Sequence, residues 1–225
     1  EMAAGIQAGL TERRNLVANI SHDLRSPLAG IRGNLETLLL KEGELEPGRR
    51  RDFLEAALRS IDGFQKLVGE LFELARLESV QARPQSESFH PGELAQDVVL
   101  KLRPRAEAAG LRLEAELPAE LPPARGELGL IERLLTNLIE NSLAYTPAGG
   151  VVRVSLTAEP GGTRVAVSDT GIGIAPEDLP HIFERFYRAD RSRGRATGGA
   201  GLGLAIARQI AELHGCVIEV QSAPG

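Results

Sequence analysis

Two long apolar stripes at helical spacing open this sequence, and neither can be buried by the other alone. Leu16, Ile20, Leu24, Leu28, Ile31, Leu35 and Leu38 recur at steps of four and three, which is one face of a long helix. Leu54, Ala57, Ile61, Phe64, Val68, Leu71 and Ala75 alternate three and four without a slip, a heptad seam. Between them "KEGELEPG", Lys41 to Gly48, has the Gly and Pro of a turn. Residues 1–79 are thus predicted to be two long helices in a hairpin. Two helices bury only part of such stripes. Two hairpins packed as a four-helix bundle bury the rest, which predicts a two-fold homodimer through these helices.

The first stripe frames an unusual polar cluster, "NISHDLRSPL", Asn19 to Leu28. His22 lies midway between Ile20 and Leu24, and each helical residue advances by roughly 100°, so His22 points away from the apolar face. Arg25 and Ser26 are its i+3 and i+4 neighbours and share its face. Asp23 diverges from His22 and reaches the ring only with a suitable rotamer. Pro27 removes the hydrogen bond to the carbonyl of Asp23, which predicts a bend. A solvated histidine on a kinked helix would have the same residues. The rest of the chain has to decide between the two.

After residue 79 the pattern changes. "VQARPQSESFH", Val80 to His90, is polar and proline-bearing, and reads as a linker. An amphipathic helix is predicted over Pro91 to Ala109, and "LRLEAEL" alternates as a strand. "GELGLIERLLTNLIENSLAYT" reads as a helix, and "VVRVSLTA" and "GTRVAVSD" as two strands joined at "EPGG". A short helix over Glu177 to Tyr187, a basic loop, a helix over Leu202 to Leu213 and a strand "CVIEVQ" follow. Helices and antiparallel strands in separate layers make this region α+β. The net charge of −5 argues against a general nucleic-acid binder. The single cysteine, Cys216, excludes an intramolecular disulfide, fits a reducing compartment, and is expected as a small buried residue in a strand. No run approaches 18 apolar residues.

Three polar constellations stand out in this second region. Asn137, Asn141 and Tyr145 follow at one-turn intervals on one helix face. Amide oxygens are hard ligands that suit Mg²⁺, an ion usually shared with substrate phosphates; an ordinary polar face would look alike. "DTGIGI", Asp169 to Ile174, follows a strand directly. A carboxylate there can accept a hydrogen bond from an exocyclic amine such as adenine's, while Gly171 and Gly173 admit a ligand close to the backbone. A plain turn uses the same glycines. The third is "RADRSRGRATGGAGLGLAI", Arg188 to Ile206, with four arginines and then Gly198, Gly199, Gly201 and Gly203 at a helix start. Glycines at a helix N-terminus offer free N–H groups to phosphate. A Rossmann reading fails, because no acidic residue follows at the required distance.

Together these stretches resemble the catalytic core of bacterial sensor histidine kinases over essentially the whole chain. "SHDLRSPL" is similar to that family's H box, "NLIENSLAYTP" to its N box and "DTGIGI" to its first glycine box. "IFERFYR" resembles the F box and "GGAGLGLAI" the second glycine box. The resemblance implies a dimerisation and histidine-phosphotransfer domain over residues 1–80, a linker over 81–90, and an ATP-binding domain over 91–225. That last domain would be an α/β sandwich shared with gyrase, Hsp90 and MutL ATPases. It implies ATP and Mg²⁺, autophosphorylation of His22, and transfer of the phosphoryl group to an aspartate of a response-regulator receiver domain. Asp23 would hold the tautomer of His22 or act as base, with Arg25 and Ser26 beside them. Asn137, Asn141, Tyr145, Asp169, Gly171, Gly173, Ile174, Arg185, Arg188, Gly199, Gly201, Leu202 and Gly203 would line the nucleotide, and Asn141 and Asn137 the metal. The full-length protein would then be attached to a membrane by segments outside this sequence, with this part in the cytoplasm.

The chain departs from the family's pattern at several places. Ala144 stands where a lysine usually precedes the tyrosine, which shifts phosphate contacts toward Arg185 and Arg188. Ala200 stands where Ser or Thr is common, and Ser26 where Thr or Asn is usual at a position tied to phosphatase activity. The sequence stops at "SAPG", where the family usually continues into another strand. Two rival functions remain: a nucleotide-holding scaffold without turnover, for which Ala144 speaks, and an ATPase of the gyrase or Hsp90 type. The ATPases use a catalytic glutamate one turn before the metal-binding asparagine, and this chain has Asn137 there.

Overall fold

The computed structural model describes residues 24–41, 43–79, 84–118, 120–188 and 200–224. They divide into two compact units, one up to Phe72 and one from Glu73 onward.

The first unit is a helical hairpin. Helix α1 is described over 24–40 and continues through Pro27. Turn residues at 41 and 43–45 precede α2, Pro47–Leu77. The helices touch where a Cβ on Gly30 would lie 3.4 Å from the Ser60 hydroxyl. Of the predicted seam, Ala57 is buried, whereas Leu54 stays exposed, as do Leu28 and Leu35 of the first stripe. Leu67 is buried although it lies off the seam. The reason is geometric: α2 is apolar over more than one stripe, and one partner helix covers only one side of it. Solvent-facing pairs such as Arg51 with Glu55 at 2.8 Å add only tenths of a kcal/mol at about one turn's spacing.

In the second unit, strand β1 is Glu87–Phe89, followed by helix α3, Pro91–Ala108, and β2, Arg112–Glu116. Then come β3, Ala124–Gly126, helix α4, Leu128–Tyr145, and the hairpin strands β4, Val151–Glu159, and β5, Gly162–Asp169. Helix α5 is Gly203–Leu213. One sheet has the order β2-β4-β5 and the other pairs β1 with β3. Val152, Val154 and Leu156 alternate onto one face of β4 and pack with Leu135, Ile139 and Leu143 of α4 and Val98, Val99 and Leu102 of α3. The expected α+β class stands, as helices layered on a mixed sheet.

Several local expectations are corrected. β2 and β4 pair parallel, Arg112 opposite Val151, not antiparallel; α4 lies between them in sequence and supplies the crossover that parallel strands need. β1 falls inside the stretch read as a linker, so residues 87–89 belong to the sheet, anchored by Phe89 against the core. Residues 176–186 form successive turns and no helix. Pro180 cannot donate to a helical ladder, and Phe186 has φ +63°, outside helical backbone. The expected strand at 216–221 makes no ladder; an ion pair ties the segment to β5, with Arg164 3.8 Å from Glu219. Cys216 is accordingly exposed, not buried in a strand. Among the described residues no helix is long and apolar enough to cross a membrane.

Candidate functional site

The two faces of α4 set up the site. Leu135, Ile139 and Leu143 form the core stripe at steps of four. Asn137, Asn141 and Tyr145 repeat the same step two residues later, roughly 200° round the helix. Polar groups on the side away from the sheet should be wet. Asn137 is instead 5% exposed, because α5 packs there. Its side-chain amide lies 3.8 Å from where a Cβ on Gly203 would be, at the first residue of α5. Among the described residues its Nδ2 has no hydrogen-bond partner. A buried donor left unbonded costs about 1–3 kcal/mol, which native folds rarely accept without a reason.

The start of α5 has the same kind of deficit. Its N-cap residue, Leu202, is fully buried and supplies no side-chain cap, and no acidic residue lies in the first turn. The first N–H groups of the helix are therefore uncapped, at the positive end of its dipole. Gly201 just before has φ +72°, and a Cβ there would lie 2.9 Å from the Tyr187 carbonyl oxygen. Phe186 N–H donates to the Gly201 carbonyl at 3.0 Å, so the "IFERFYR" segment is docked onto the second glycine segment. Phe186 holds its left-handed backbone there, a strain of the sort found at functional positions. The Arg188 guanidinium Nη2 is buried without a partner among the described residues.

The first glycine segment closes onto the end of α4. Ile172 N–H donates to the Tyr145 carbonyl at 3.2 Å. A Cβ on Gly171 would stand 2.7 Å from that oxygen, so only glycine fits. Asp169, at the end of β5, accepts from Gly171 N–H at 2.9 Å through Oδ1. Ile174 N–H donates to the Ser222 hydroxyl at 2.9 Å. Tyr187 donates to Asp178 at 2.6 Å, and that bond raises its pKa above the usual phenol value.

Asn137, Leu202 and Gly203 are thus brought together, as are Tyr145, Asp169 and Gly171, and Phe186 with Gly201. Asn141 and Ala144 are half-buried on the same helix, and Tyr145 is partly exposed. Arg185 is turned to Glu78, 2.5 Å away. Arg25 and Ser26 are exposed on α1. His22, Asp23 and Gly199 lie outside the described residues. Sequence reasoning missed Glu78, Ser222 and His214, whose Nε2 accepts from Glu127 N–H at 3.1 Å and fixes the start of α4 against the end of α5. Each acts across a long sequence gap and leaves no local signal.

The unbonded donors fit an anion: an amide, uncapped helix N–H groups and a guanidinium are what a polyphosphate accepts from. For a divalent ion the donor set is the two asparagine amides. No cluster of three His, Cys, Asp or Glu among the described residues is placed to hold one. Hard amide oxygens shared with substrate phosphates suit Mg²⁺.

Residues 12–80 match the His Kinase A (phospho-acceptor) domain family, and residues 126–225 the histidine kinase-, DNA gyrase B- and HSP90-like ATPase family. Sensor-like histidine kinase SenX3 of Mycobacterium tuberculosis is 37% identical over 213 residues, 95% of this chain and 51% of that protein. The histidine kinase AdeS of Acinetobacter baumannii superposes with TM-score 0.67 at 26% identity, covering 85% of this chain and 86% of that one. Full-length ShkA in complex with AMPPNP superposes with TM-score 0.64 at 29% identity, over 89% of this chain and 41% of that one. The chain spans about half the length of the curated relatives it matches. A phospho-acceptor hairpin followed by an ATP-binding domain, with relatives along nearly the whole chain, leaves one assignment: this protein belongs to the sensor histidine kinase family, of which it carries the catalytic core.

Proposed function

We propose that the chain transfers the γ-phosphoryl group of ATP to His22 and then passes it to an aspartate of a response-regulator receiver domain. The observation that carries this reading is the buried, unbonded Asn137 amide beside the uncapped start of α5. In this reading Asp169 accepts from the adenine amine, with Gly171, Gly173 and Ile174 beside it and Tyr145 at the edge. Gly199, Gly201, Leu202 and Gly203 offer backbone N–H groups to phosphate, and Arg185 and Arg188 offer charge. Asn141 and Asn137 would hold Mg²⁺, which would draw negative charge off the phosphate oxygens. His22 is the nucleophile, because an imidazole ring nitrogen can attack phosphorus. Asp23 fixes its tautomer or takes its proton, and Arg25 and Ser26 flank it. The Ser26 hydroxyl is also the group that would orient water if the chain removes phosphate from its partner.

A phosphotransfer domain over 1–80 and an ATP-binding domain over 91–225 belong to this reading, and the family matches over 12–80 and 126–225 support it. The leucines exposed on α1 and α2, Leu28, Leu35, Leu54 and Leu58, support burial by a second copy in a four-helix bundle. A cytoplasmic position within a membrane-attached sensor belongs to the same proposal, as does the absence of a nucleic-acid partner.

Incubation of the chain with γ-labelled ATP tests the function. Acid-labile, alkali-stable phosphate on the protein is expected. Free phosphate without labelled protein would make it an ATPase, and bound nucleotide with neither would make it a scaffold.

Two variants test the site. Asn141→Ala is expected to weaken ATP binding more with Mg²⁺ than without, because it removes a metal ligand and no adenine contact. Equal losses in both titrations would count against the metal assignment. Ala144→Lys is expected to raise affinity for ATP and ADP about fivefold, as one partly screened charge near phosphate should. Adenosine affinity should not move; an equal rise there would trace the gain to helix stability.

A further inference from the structure

Arg185 is proposed to meet phosphate, yet its guanidinium is already engaged. Its Nη2 lies 2.5 Å from Oε1 of Glu78, in a pair that remains open to solvent. Glu78 is held at the end of α2 by its N–H bond to the Leu74 carbonyl at 3.0 Å. That helix end is itself clamped: Glu73 receives Nε of Arg133 on both carboxylate oxygens, at 3.2 and 3.0 Å. Arg133 sits on α4 one turn before Asn137. The end of α2, the asparagine face of α4 and Arg185 are thus gathered in one unit. On the other side of Arg185, the Phe186 N–H is fixed to Gly201 at the start of α5. The backbone of Arg185 is therefore pinned beside the uncapped helix while its side chain points to a carboxylate.

We propose that Glu78 is a positioning residue that competes with nucleotide phosphate for Arg185, so that a bound polyphosphate opens the ion pair and releases the Glu78 side chain. A carboxylate and a phosphate offer a guanidinium the same two-oxygen edge, and its planar fork serves one of them at a time in full. The proposal rests on the reading that Arg185 meets the phosphates, and its test is arranged to separate the two.

The full chain is titrated calorimetrically with ATP, ADP and adenosine. Glu78→Gln keeps the shape and removes the charge. It is expected to raise affinity for ATP and ADP roughly fivefold, the fraction recovered when a pair of ordinary strength no longer holds Arg185 back. Adenosine affinity should stay put. In an Arg185→Ala background Glu78→Gln should add nothing. Wild-type ATP binding with no gain in Glu78→Gln would overturn the competition and leave the nucleotide reading intact. A gain that persists without Arg185, or that adenosine shares, would overturn it too. A wild-type chain that binds no nucleotide would bring down both.

Discussion

His22→Ala is expected to leave the protein unlabelled by γ-labelled ATP, with ATP affinity within about twofold of wild type, since the acceptor and the nucleotide belong to separate domains. Loss of label should be complete, because the other histidines are poor substitutes. His214 spends both ring nitrogens, Nδ1 on the Ile210 carbonyl at 2.8 Å and Nε2 on Glu127 N–H. His181 is held to Glu184 at 2.6 Å and leans on the Tyr187 ring. His90 ends a strand segment at the N-cap of α3. Label that survives in the variant would show that the acceptor is not His22. Lost ATP binding would show instead that the two activities share one domain.

Asp169→Asn should do the reverse. One carboxylate oxygen of Asp169 already accepts Gly171 N–H. The asparagine carbonyl can take over that bond, so the turn and the fold survive. Its NH₂ group then stands where the second oxygen was, and a donor would face the amine of an adenine bound as proposed. Stranding that pair costs on the order of 1–3 kcal/mol, or roughly fivefold to 150-fold in affinity. ATP, ADP and adenosine should all suffer alike, since the contact is with the base. Binding that is unchanged for all three would reduce Asp169 to a turn residue.

The asparagine stripe and the glycine segments were legible because each is a local pattern with a fixed chemical reason. Asn137, Asn141 and Tyr145 declare one helix face by spacing alone. The glycines at 171 and 201 declare close backbone approach, and the Tyr145 and Tyr187 carbonyls provide it. What the sequence hid has a common cause, which is dependence on distant partners. Three residues such as Glu87–Phe89 are too few to show alternation, and only pairing with Ala124–Gly126 makes them a strand. The 177–187 segment carries helix-forming residues, but Pro180 and the docking of Phe186 on Gly201 override them. Arg185 stands out as a phosphate candidate because Ala144 lacks the usual lysine, whereas its partner Glu78 is invisible from 107 residues away. The heptad reading of α2 found a real stripe but not its neighbour through Leu67, because a single-period template admits one seam at a time.

The parallel pairing of β2 with β4 has a consequence for the order of folding. The hairpin of β4 and β5 closes through a two-residue turn and can form early from local contacts. Arg112 meets Val151 only after β3 and the whole of α4 have been placed between them. Loop closure of that length is slow to nucleate, so the step that seats α4 on the sheet comes late. Asn137 and Tyr145 ride on α4, and the α5 start is aligned only against it. Nucleotide competence is therefore expected to arrive with the closure of β2 on β4, and ATP binding would report that step of the second unit.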